Sequence, residues 1–194
     1  MLASYDKRFI CVVSGLPRSG TSMMMRMLEA GGMPILTDNI RVADADNPNG
    51  YYEFEPVKHL ARDSSWLTDA YGKAVKIVYR LLRSLPQEHQ YKVIMMNRLI
   101  EEVVASQDAM LQRIGNDKGA KRADVAKILH NDLDRFQDWL QLRPNFRVLN
   151  LSYNAIIADP GGAARELNRF LGGGLDTPAM SGVVDASLYR QRRS

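Results

Sequence analysis

Residues 10–26 read Ile-Cys-Val-Val-Ser-Gly-Leu-Pro-Arg-Ser-Gly-Thr-Ser-Met-Met-Met-Arg, and this stretch determines the fold. The apolar run 9–13 predicts a short buried strand. The segment 14–20 is rich in turn formers, and 21–30 has the apolar spacing of a helix. A glycine loop between a strand and a helix brings backbone N–H groups and the positive end of the helix dipole to one point, where an anion can bind. The stretch therefore predicts a phosphate-binding loop.

The spacing of the loop glycines, and the residues that follow them, indicate which kind of anion the loop can bind. Gly15 and Gly20 stand in the Gly-x-x-x-x-Gly frame of a P-loop, which is normally followed by Lys and Ser or Thr. Here Thr21 and Ser22 follow, and the positive charge lies three residues before Thr21, at Arg18. The missing lysine argues against ATP with magnesium. It favours an anion held by one basic side chain, hydroxyl groups and backbone amides.

Length and composition indicate one globular domain over residues 1–194. Apolar residues make up 45% of the chain and charged residues 25%, as in ordinary globular proteins. The net charge of +4 is too small to indicate nucleic acid binding. A lone cysteine, Cys11, cannot form an intrachain disulfide and is expected to be a buried hydrophobe. Without a signal peptide or a membrane-spanning run, we expect a cytoplasmic protein that binds no membrane.

Apolar periodicity predicts an alternation of strands and helices after the glycine loop. Residues 33–52 are rich in turn formers and are predicted to be a loop. Three further strands are predicted at 73–79, 91–96 and 146–151, and helices at 56–61, 63–71, 99–114, 122–142, 160–171 and 178–184. Strands alternating with helices predict an α/β fold, a parallel sheet of about four to five strands flanked by helices.

A second anion-binding signal follows the predicted strand 91–96. Arg98 comes directly after this strand, and Ser106 lies eight residues further on, about two turns into the next helix. Ligands of open α/β sheets bind beyond the carboxyl ends of the strands, so Arg98 is expected at the same edge as the glycine loop. Arg98 precedes the helix and can fold back beside it. Arg98 and Ser106 could therefore grip one phosphate together.

These motifs resemble those of the sulfotransferases that use 3′-phosphoadenosine-5′-phosphosulfate (PAPS) as sulfuryl donor. The family's first motif is matched by Pro17, Arg18, Ser19, Gly20, Thr21 and Ser22. Its Arg and Ser spaced by eight residues are matched by Arg98 and Ser106, and a Tyr often found near the adenine is matched by Tyr153. The resemblance implies that the loop binds the 5′-phosphosulfate and that Arg98 and Ser106 bind the 3′-phosphate. No metal is expected, because no His, Cys or Asp grouping has metal-ligand spacing.

The resemblance also implies candidates for catalysis. Cytosolic members of the family carry a catalytic His where this chain has Val78, while Lys76 matches the lysine that steadies the bridging oxygen. Other branches use a glutamate from the segment after the P-loop helix, for which Glu53 and Glu55 are the candidates. Either carboxylate could take the proton of an acceptor hydroxyl. Glu53 is slightly preferred, since Glu55 precedes a proline and can instead cap the helix that follows.

The remaining expectations concern the acceptor and the chain terminus. The acceptor is expected to be a hydroxyl or an amine, covered largely by residues 33–72, with a homodimer partner as one way to close the site. In the basic tail 185–194, Arg190 and Arg192 either fold over the 3′-phosphate or belong to a solvated terminus. Two alternatives stay open: a nucleoside or metabolite kinase, which Thr21 disfavours, and a non-catalytic nucleotide-binding module, which the missing histidine favours.

Overall fold

A parallel sheet lies at the centre of the protein. The computed structural model describes residues 8–38, 40, 50–113 and 122–188. The strands within these ranges are β1 (Ile10–Gly15), β2 (Ile35–Leu36), β3 (Ala74–Lys76), β4 (Tyr91–Asn97) and β5 (Phe146–Ser152). They pair in the order β2-β3-β1-β4-β5, and every pair is parallel. The predicted α/β fold, a parallel sheet flanked by helices, is confirmed.

Helices connect the strands and cover both faces of the sheet. The α-helices in the described ranges are α1 (Thr21–Ala30), α2 (Ile100–Arg113), α3 (Arg122–Gln141), α4 (Tyr153–Ala158), α5 (Pro160–Leu171) and α6 (Thr177–Gly182). Shorter 3-10 helices span Glu55–His59, Ser65–Ala70, Tyr79–Ser84 and Ala186–Leu188. The helices predicted at 56–61 and 63–71 are thus 3-10 helices. None of the helices within the described ranges combines the length and apolarity that crossing a membrane requires.

The central strand β1 is buried along its whole length, because each face of the sheet carries its own apolar core. Cys11 and Val13 pack on one face with α1, α5 and α6. Ile10 and Val12 pack on the other with the 3-10 helices, α2 and α3, where Phe136 is fully buried. Burial raises the pKa of the Cys11 thiol to about 12, in keeping with its predicted role as a buried hydrophobe.

The second predicted strand is shorter than expected, and the reason lies in β1. Residues 73–79 were predicted to be a strand, but β3 covers Ala74–Lys76. Ile77 still donates its N–H to the Val13 carbonyl, and the hydroxyl of Ser14 takes the place of a backbone donor by binding the Ile77 carbonyl at 2.7 Å. Because β1 ends at Gly15, where the glycine loop begins, the chain after Ile77 has no neighbouring strand of β1 to pair with. It forms a 3-10 helix instead.

Two short elements lie where the sequence indicated no regular structure. β2, in the predicted loop 33–52, is a two-residue edge strand in which Ile35 pairs with Ala74. α4 begins directly after β5 with Ser152 as its N-cap, whose hydroxyl accepts the Ala155 N–H at 3.4 Å. Both elements are too short to produce a recognisable apolar period. α4 matters for the site described next, because its first residue is Tyr153.

Candidate functional site

The loop between β1 and α1 depends on its two frame glycines. Gly15 has φ 151° and Gly20 has φ 97°, a conformation that side chains other than glycine rarely adopt. A Cβ atom on Gly20 would lie 2.5 Å from Cδ2 of Tyr153, and one on Gly15 would lie 2.6 Å from the Met96 carbonyl. Neither position has room for a larger residue. The Gly-x-x-x-x-Gly frame is therefore built against β4 and α4 as well as by the loop itself.

The start of α1 presents polar groups that suit an anion. Ser19 is 1% exposed, and its hydroxyl has no hydrogen-bond partner among the described residues. No side chain caps α1, and its first turn carries no acidic residue. Thr21 and Ser22 are half-buried in this turn, whereas Pro17 is exposed. A buried hydroxyl without a partner beside the positive end of a helix dipole fits a bound anion.

Arg18 joins the glycine loop to α2. Its Nε donates to Oγ of Ser106 at 3.0 Å, and Ser106 is 7% exposed. The backbone of Arg18 has φ 71°, in the left-handed region that favours glycine. The sequence had assigned Arg18 to the 5′-phosphosulfate and Ser106 to the 3′-phosphate. The structure brings these two side chains into direct contact.

Arg98 is held in place from three directions. Its Nη1 donates to the Arg18 carbonyl at 3.2 Å, and its Nε forms an ion pair with Oε2 of Glu102 at 2.9 Å. Its guanidinium lies over the Tyr153 ring, 4.5 Å from the centroid. The Arg98 side chain is 8% exposed and that of Glu102 is 3% exposed. The second motif thus lies against the first, at the edge where the sequence predicted it.

Glu102 is a component of this cluster that the sequence interpretation missed. It lies four residues after Arg98, and its second carboxylate oxygen, Oε1, accepts from Nδ2 of Asn154 at 3.4 Å. A carboxylate with little contact to water needs such partners. The spacing of four residues around the start of a helix is the pattern from which the pair could have been predicted.

Tyr153 forms the floor of the cluster. Its ring lies close to Gly20 and beneath the guanidinium of Arg98, and the residue is 6% exposed. Burial raises the pKa of the Tyr153 hydroxyl, while the nearby charge of Arg98 lowers it and that of Glu102 raises it. The neutral ring therefore acts as an aromatic surface beneath the guanidinium.

A second polar cluster forms around the carbonyl of Tyr51. The ammonium group of Lys76, at the end of β3, donates to this carbonyl, and the hydroxyl of Ser22 donates to it at 3.4 Å. Nζ of Lys76 also lies 4.0 Å from Oε1 of Glu53. The Lys76 side chain is 14% exposed and that of Glu53 is 32% exposed. Glu53 and Lys76, two of the predicted catalytic residues, therefore lie together beside the first turn of α1.

The third predicted catalytic residue, Glu55, lies elsewhere. Its carboxylate pairs with Lys58 at 2.7 Å, and both side chains are largely exposed. Its backbone N–H donates to the carboxylate of Asp38. The hydrogen bond from the Ile40 N–H, followed by this one from Glu55, lowers the pKa of Asp38. The structure thus separates the two glutamates, which the sequence had left nearly equal.

Val78, which stands where cytosolic sulfotransferases carry a histidine, lies next to a polar cluster that the sequence did not reveal. Val78 is 43% exposed. The hydroxyl of the neighbouring Tyr79 donates a hydrogen bond to the carboxylate of Asp132 in α3. Arg80 pairs with the same carboxylate at 2.8 Å. Burial and the hydrogen bond to Asp132 raise the pKa of Tyr79, and the bonds from Tyr79 and Arg80 lower the pKa of Asp132. This cluster fastens the chain after β3 to α3.

Two further expectations concern the terminus and metals. Arg190 and Arg192 lie outside the described residues, so both alternatives for them, contact with the 3′-phosphate or a solvated terminus, stay predictions. The last described turn, Ala186–Leu188, follows Val183, whose carbonyl accepts a hydrogen bond from Arg26 of α1. Within the described ranges, no group of three or more His, Cys, Asp or Glu side chains is arranged to hold a metal ion.

Comparisons with known proteins support one family. A family model described as the sulfotransferase domain matches residues 10–194. No curated protein matches the chain significantly by sequence. Among solved structures, the chain resembles sulfotransferase STF1 from Mycobacterium tuberculosis H37Rv, with 18% identity, a TM-score of 0.58, and coverage of 96% of this chain and 74% of that one.

Two other structures show the same architecture. The sulfotransferase domain of the Synechococcus PCC 7002 olefin synthase is 14% identical, with a TM-score of 0.55 over 96% of this chain and 80% of that one. Mouse sulfotransferase SULT7A1, complexed with 3′-phosphoadenosine 5′-phosphate (PAP), is 18% identical, with a TM-score of 0.53 over 94% of this chain and 65% of that one. At these identities the likeness establishes a common fold.

Proposed function

Since this chain belongs to the sulfotransferase family, we propose that it transfers a sulfuryl group from PAPS to a hydroxyl or amine acceptor. The observation that carries the proposal is the contact between the glycine loop and the cluster of Arg98 and Ser106. A donor with phosphate groups at both ends of its ribose needs two adjoining anion sites. The PAP bound to mouse SULT7A1 supports the same donor, because PAP is what PAPS becomes after losing its sulfuryl group.

The residues present fit the donor. The hydroxyl of Ser19, which has no hydrogen-bond partner among the described residues, and the first turn of α1, with Thr21 and Ser22, suit the 5′-phosphosulfate. The guanidinium of Arg98 is fixed by Glu102 and by the ring of Tyr153, so little side-chain entropy is lost when it binds a phosphate. The prediction that Tyr153 lies near the adenine of the donor is retained.

The proposed chemistry uses Glu53 and Lys76. As the bond from sulfur to the acceptor oxygen forms, the bond from sulfur to the donor's phosphate oxygen breaks and PAP leaves. The acceptor loses its hydroxyl proton to the carboxylate of Glu53, which acts as general base. The ammonium of Lys76, 4.0 Å from that carboxylate and in contact with the same carbonyl as Ser22, stabilises the negative charge that develops on the leaving phosphate.

Several sequence-based expectations stay predictions. They are a domain that extends over residues 1–194, an acceptor covered by residues 33–72, a homodimer partner, a cytoplasmic location and the absence of nucleic acid and membrane partners. The family assignment displaces the kinase alternative. A non-catalytic nucleotide-binding module is distinguished from an enzyme by the turnover measurement given in the Discussion.

The donor assignment is tested by calorimetry with PAP and 5′-AMP, which differ by the 3′-phosphate. We expect the wild-type protein to bind PAP at least about tenfold more tightly, since a charge-assisted contact to phosphate contributes roughly 1.5–3 kcal/mol. Arg98→Ala should lose this preference, whereas Arg165→Ala, on the exposed face of α5, should keep it. Equal affinity of the wild-type protein for the two nucleotides would contradict the donor assignment.

A further inference from the structure

We propose that Thr37 and Asp38, the two residues that follow β2, are positioning residues for the general base Glu53. This inference rests on the proposed function, because it concerns the base of the same sulfuryl transfer. Neither residue takes the proton of the acceptor. Both act through Glu53, by fixing the backbone from which its side chain extends toward Lys76.

The carbonyl of Glu53 is bound twice by the chain that follows β2. Oγ1 of Thr37 donates to this carbonyl at 2.8 Å, and the backbone N–H of Asp38 donates to it at 3.2 Å. The carboxylate of Asp38 in turn accepts the backbone N–H of Glu55. Three hydrogen bonds therefore connect residues 37–38 to residues 53–55, and two of them use the carbonyl of the base itself.

The chain before Glu53 is held as well, and in a strained conformation. The ammonium of Lys76 donates to the carbonyl of Tyr51, two residues before the base. Tyr52 has φ 53°, a left-handed conformation that a bulky residue rarely adopts, and its hydroxyl donates to Oε2 of Glu29 at 2.7 Å. Such strain persists where surrounding contacts over-determine the backbone, as the contacts on both sides of Glu53 do here.

The side chains on either side of Glu53 pack into different cores. Tyr52 packs against the core that contains α1, and Phe54 packs against the core on the other face of the sheet. The chain thus passes from one core to the other at Glu53. The Glu53 side chain is itself 32% exposed, with Oε1 4.0 Å from Nζ of Lys76. Its place therefore depends on the backbone that carries it more than on packing around the carboxylate.

The place of this carboxylate matters for the rate of proton transfer. A general base must lie within hydrogen-bond distance of the acceptor hydroxyl, and a misplacement of about 1 Å can lower a rate by about 10²-fold. The proposed donor-binding groups lie elsewhere, on the glycine loop, α1 and α2. Loss of the hydrogen bonds from residues 37–38 should therefore lower kcat and leave the affinity for the nucleotide unchanged.

The test measures PAP release from PAPS with a simple phenol as acceptor, and PAP affinity by calorimetry, in Thr37→Val. Valine has nearly the shape of threonine but no hydroxyl. We expect kcat to fall at least about fivefold, while PAP affinity and the KM for PAPS stay within about twofold of wild type. Thr37→Ser keeps the hydroxyl and should recover most of the lost kcat. Ser181→Ala is the matched control, because it removes a hydroxyl-to-carbonyl bond of 2.9 Å in α6 and should leave kcat within about twofold.

A positioning role is separated from a structural one by repeating Thr37→Val in the Glu53→Gln variant. A residue that acts through the base should not lower the remaining turnover further once the carboxylate is gone. A residue that only supports the fold should lower kcat by the same factor with and without Glu53. That second result, or an unchanged kcat in Thr37→Val alone, would overturn the positioning role.

The remaining outcomes decide at which step the inference fails. A wild-type chain that binds PAP but does not turn over PAPS overturns the proposed function, and the positioning role with it. A fully active Glu53→Gln variant overturns the assignment of the base and therefore of its positioning residues. If Thr37→Val shows no cooperative thermal unfolding, Asp38→Asn replaces it, since one amide oxygen cannot replace both carboxylate oxygens that accept from Ile40 and Glu55. An unchanged kcat there overturns the proposal.

Discussion

The two halves of the site are built in different ways. The donor side, our name for the proposed donor-binding residues 15–22 with Arg98, Ser106 and Tyr153, joins the ends of elements that are packed on both faces of the sheet. The acceptor side, our name for residues 50–72 with 76–80 in their proposed role, consists of short 3-10 helices and connecting loops. On the donor side, the charged side chain of Arg98 is buried and has polar partners in Glu102 and the Arg18 carbonyl. On the acceptor side, the polar side chains are more exposed, and Lys76 and Glu53 are 4.0 Å apart.

Exposure to water shows what this difference means for chemistry. The side chains of Arg98 and Glu102 are 8% and 3% exposed, whereas that of Glu53 is 32% exposed. Charges shielded from water interact more strongly, so a rigid donor side can recognise one nucleotide closely. A more exposed acceptor side can adapt to acceptors of different shapes. The comparison predicts that donor-side substitutions change nucleotide affinity and acceptor-side substitutions change turnover.

The largest expected effect is on turnover, in Glu53→Gln. Removing a general base should lower kcat by about 10²–10⁴-fold while leaving the affinity for PAP within about twofold of wild type. The measurement is the release of PAP from PAPS with a simple phenol as acceptor, together with calorimetry for PAP. Turnover by the wild-type chain also excludes a non-catalytic nucleotide-binding module.

Glu55→Gln is the matched control for this experiment. Glu55 is two residues away, carries the same charge and pairs with exposed Lys58, not with the cluster around Lys76. Its turnover should stay within about twofold of wild type, since exposed ion pairs contribute little. If Glu55→Gln lost activity and Glu53→Gln kept it, the base would be Glu55 and the separation of the two glutamates would carry no catalytic meaning.

The next largest effect concerns packing on the donor side, and Gly20→Ala probes it. An alanine there meets the ring of Tyr153 at 2.5 Å in addition to the strain of φ 97°. Strain of this kind costs about 1–2 kcal/mol and overpacking about 1–3 kcal/mol more, so we expect a loss of about 2–5 kcal/mol in the free energy of unfolding. Urea denaturation measures the stability, and PAP affinity should fall with it.

Gly32→Ala separates the two causes. Gly32 has φ 88°, close to that of Gly20, but nothing lies within 4 Å of an added Cβ atom. It should lose the strain contribution alone, about 1–2 kcal/mol, and keep wild-type affinity for PAP. Equal losses of stability in the two variants would mean that the Tyr153 ring yields easily and that the donor side is less rigid than its packing indicates.

The position of the glycine loop and of the strand end before Arg98 was what the sequence predicted best, while their binding of the donor stays a proposal. The glycine loop is local, since Gly15 and Gly20 are set by backbone conformation within a few residues. The pair of Arg98 and Ser106 could be predicted because their spacing of eight residues depends only on the end of one strand and the start of the next helix. What the sequence could not reveal is that Arg18 meets Ser106, a contact across 88 residues of chain. That contact depends on how α2 packs beside the loop.

The acceptor side was harder to predict for the same physical reason. Its elements are 3-10 helices and connecting loops, which are too short to show a period. Glu53 and Glu55 have nearly the same sequence context, and their separation arises from Lys76, more than twenty residues later in the chain. The contact of Tyr79 with Asp132 spans 53 residues and has no motif at all. Long-range side-chain contacts of this kind follow from the fold, not from local pattern.

The smallest expected effect concerns the contact between Tyr79 and Asp132, whose contribution to stability should depend on pH. The hydrogen bonds from Tyr79 and Arg80 lower the pKa of Asp132 in the folded state, so ionised Asp132 stabilises the fold. This contribution is complete above the usual aspartate pKa of about 3.9 and is lost as the pH falls through the lower, folded-state value. Asp132→Asn should therefore lose about 1 kcal/mol of unfolding free energy at neutral pH and little in strong acid.

Urea denaturation at neutral pH and below about pH 3 measures this difference, with Asp134→Asn as control. Asp134 lies on the same helix and is exposed, so its substitution should leave stability unchanged at both values. Much of the Arg80 contribution is screened, because its side chain is 63% exposed, whereas Tyr79 is buried. A loss in Asp132→Asn that is the same at both pH values would mean that the carboxylate acts through shape and not charge. The chain after β3 would then be held by the packing of Tyr79 and Leu82 in the core, without a contribution from the charge of Asp132.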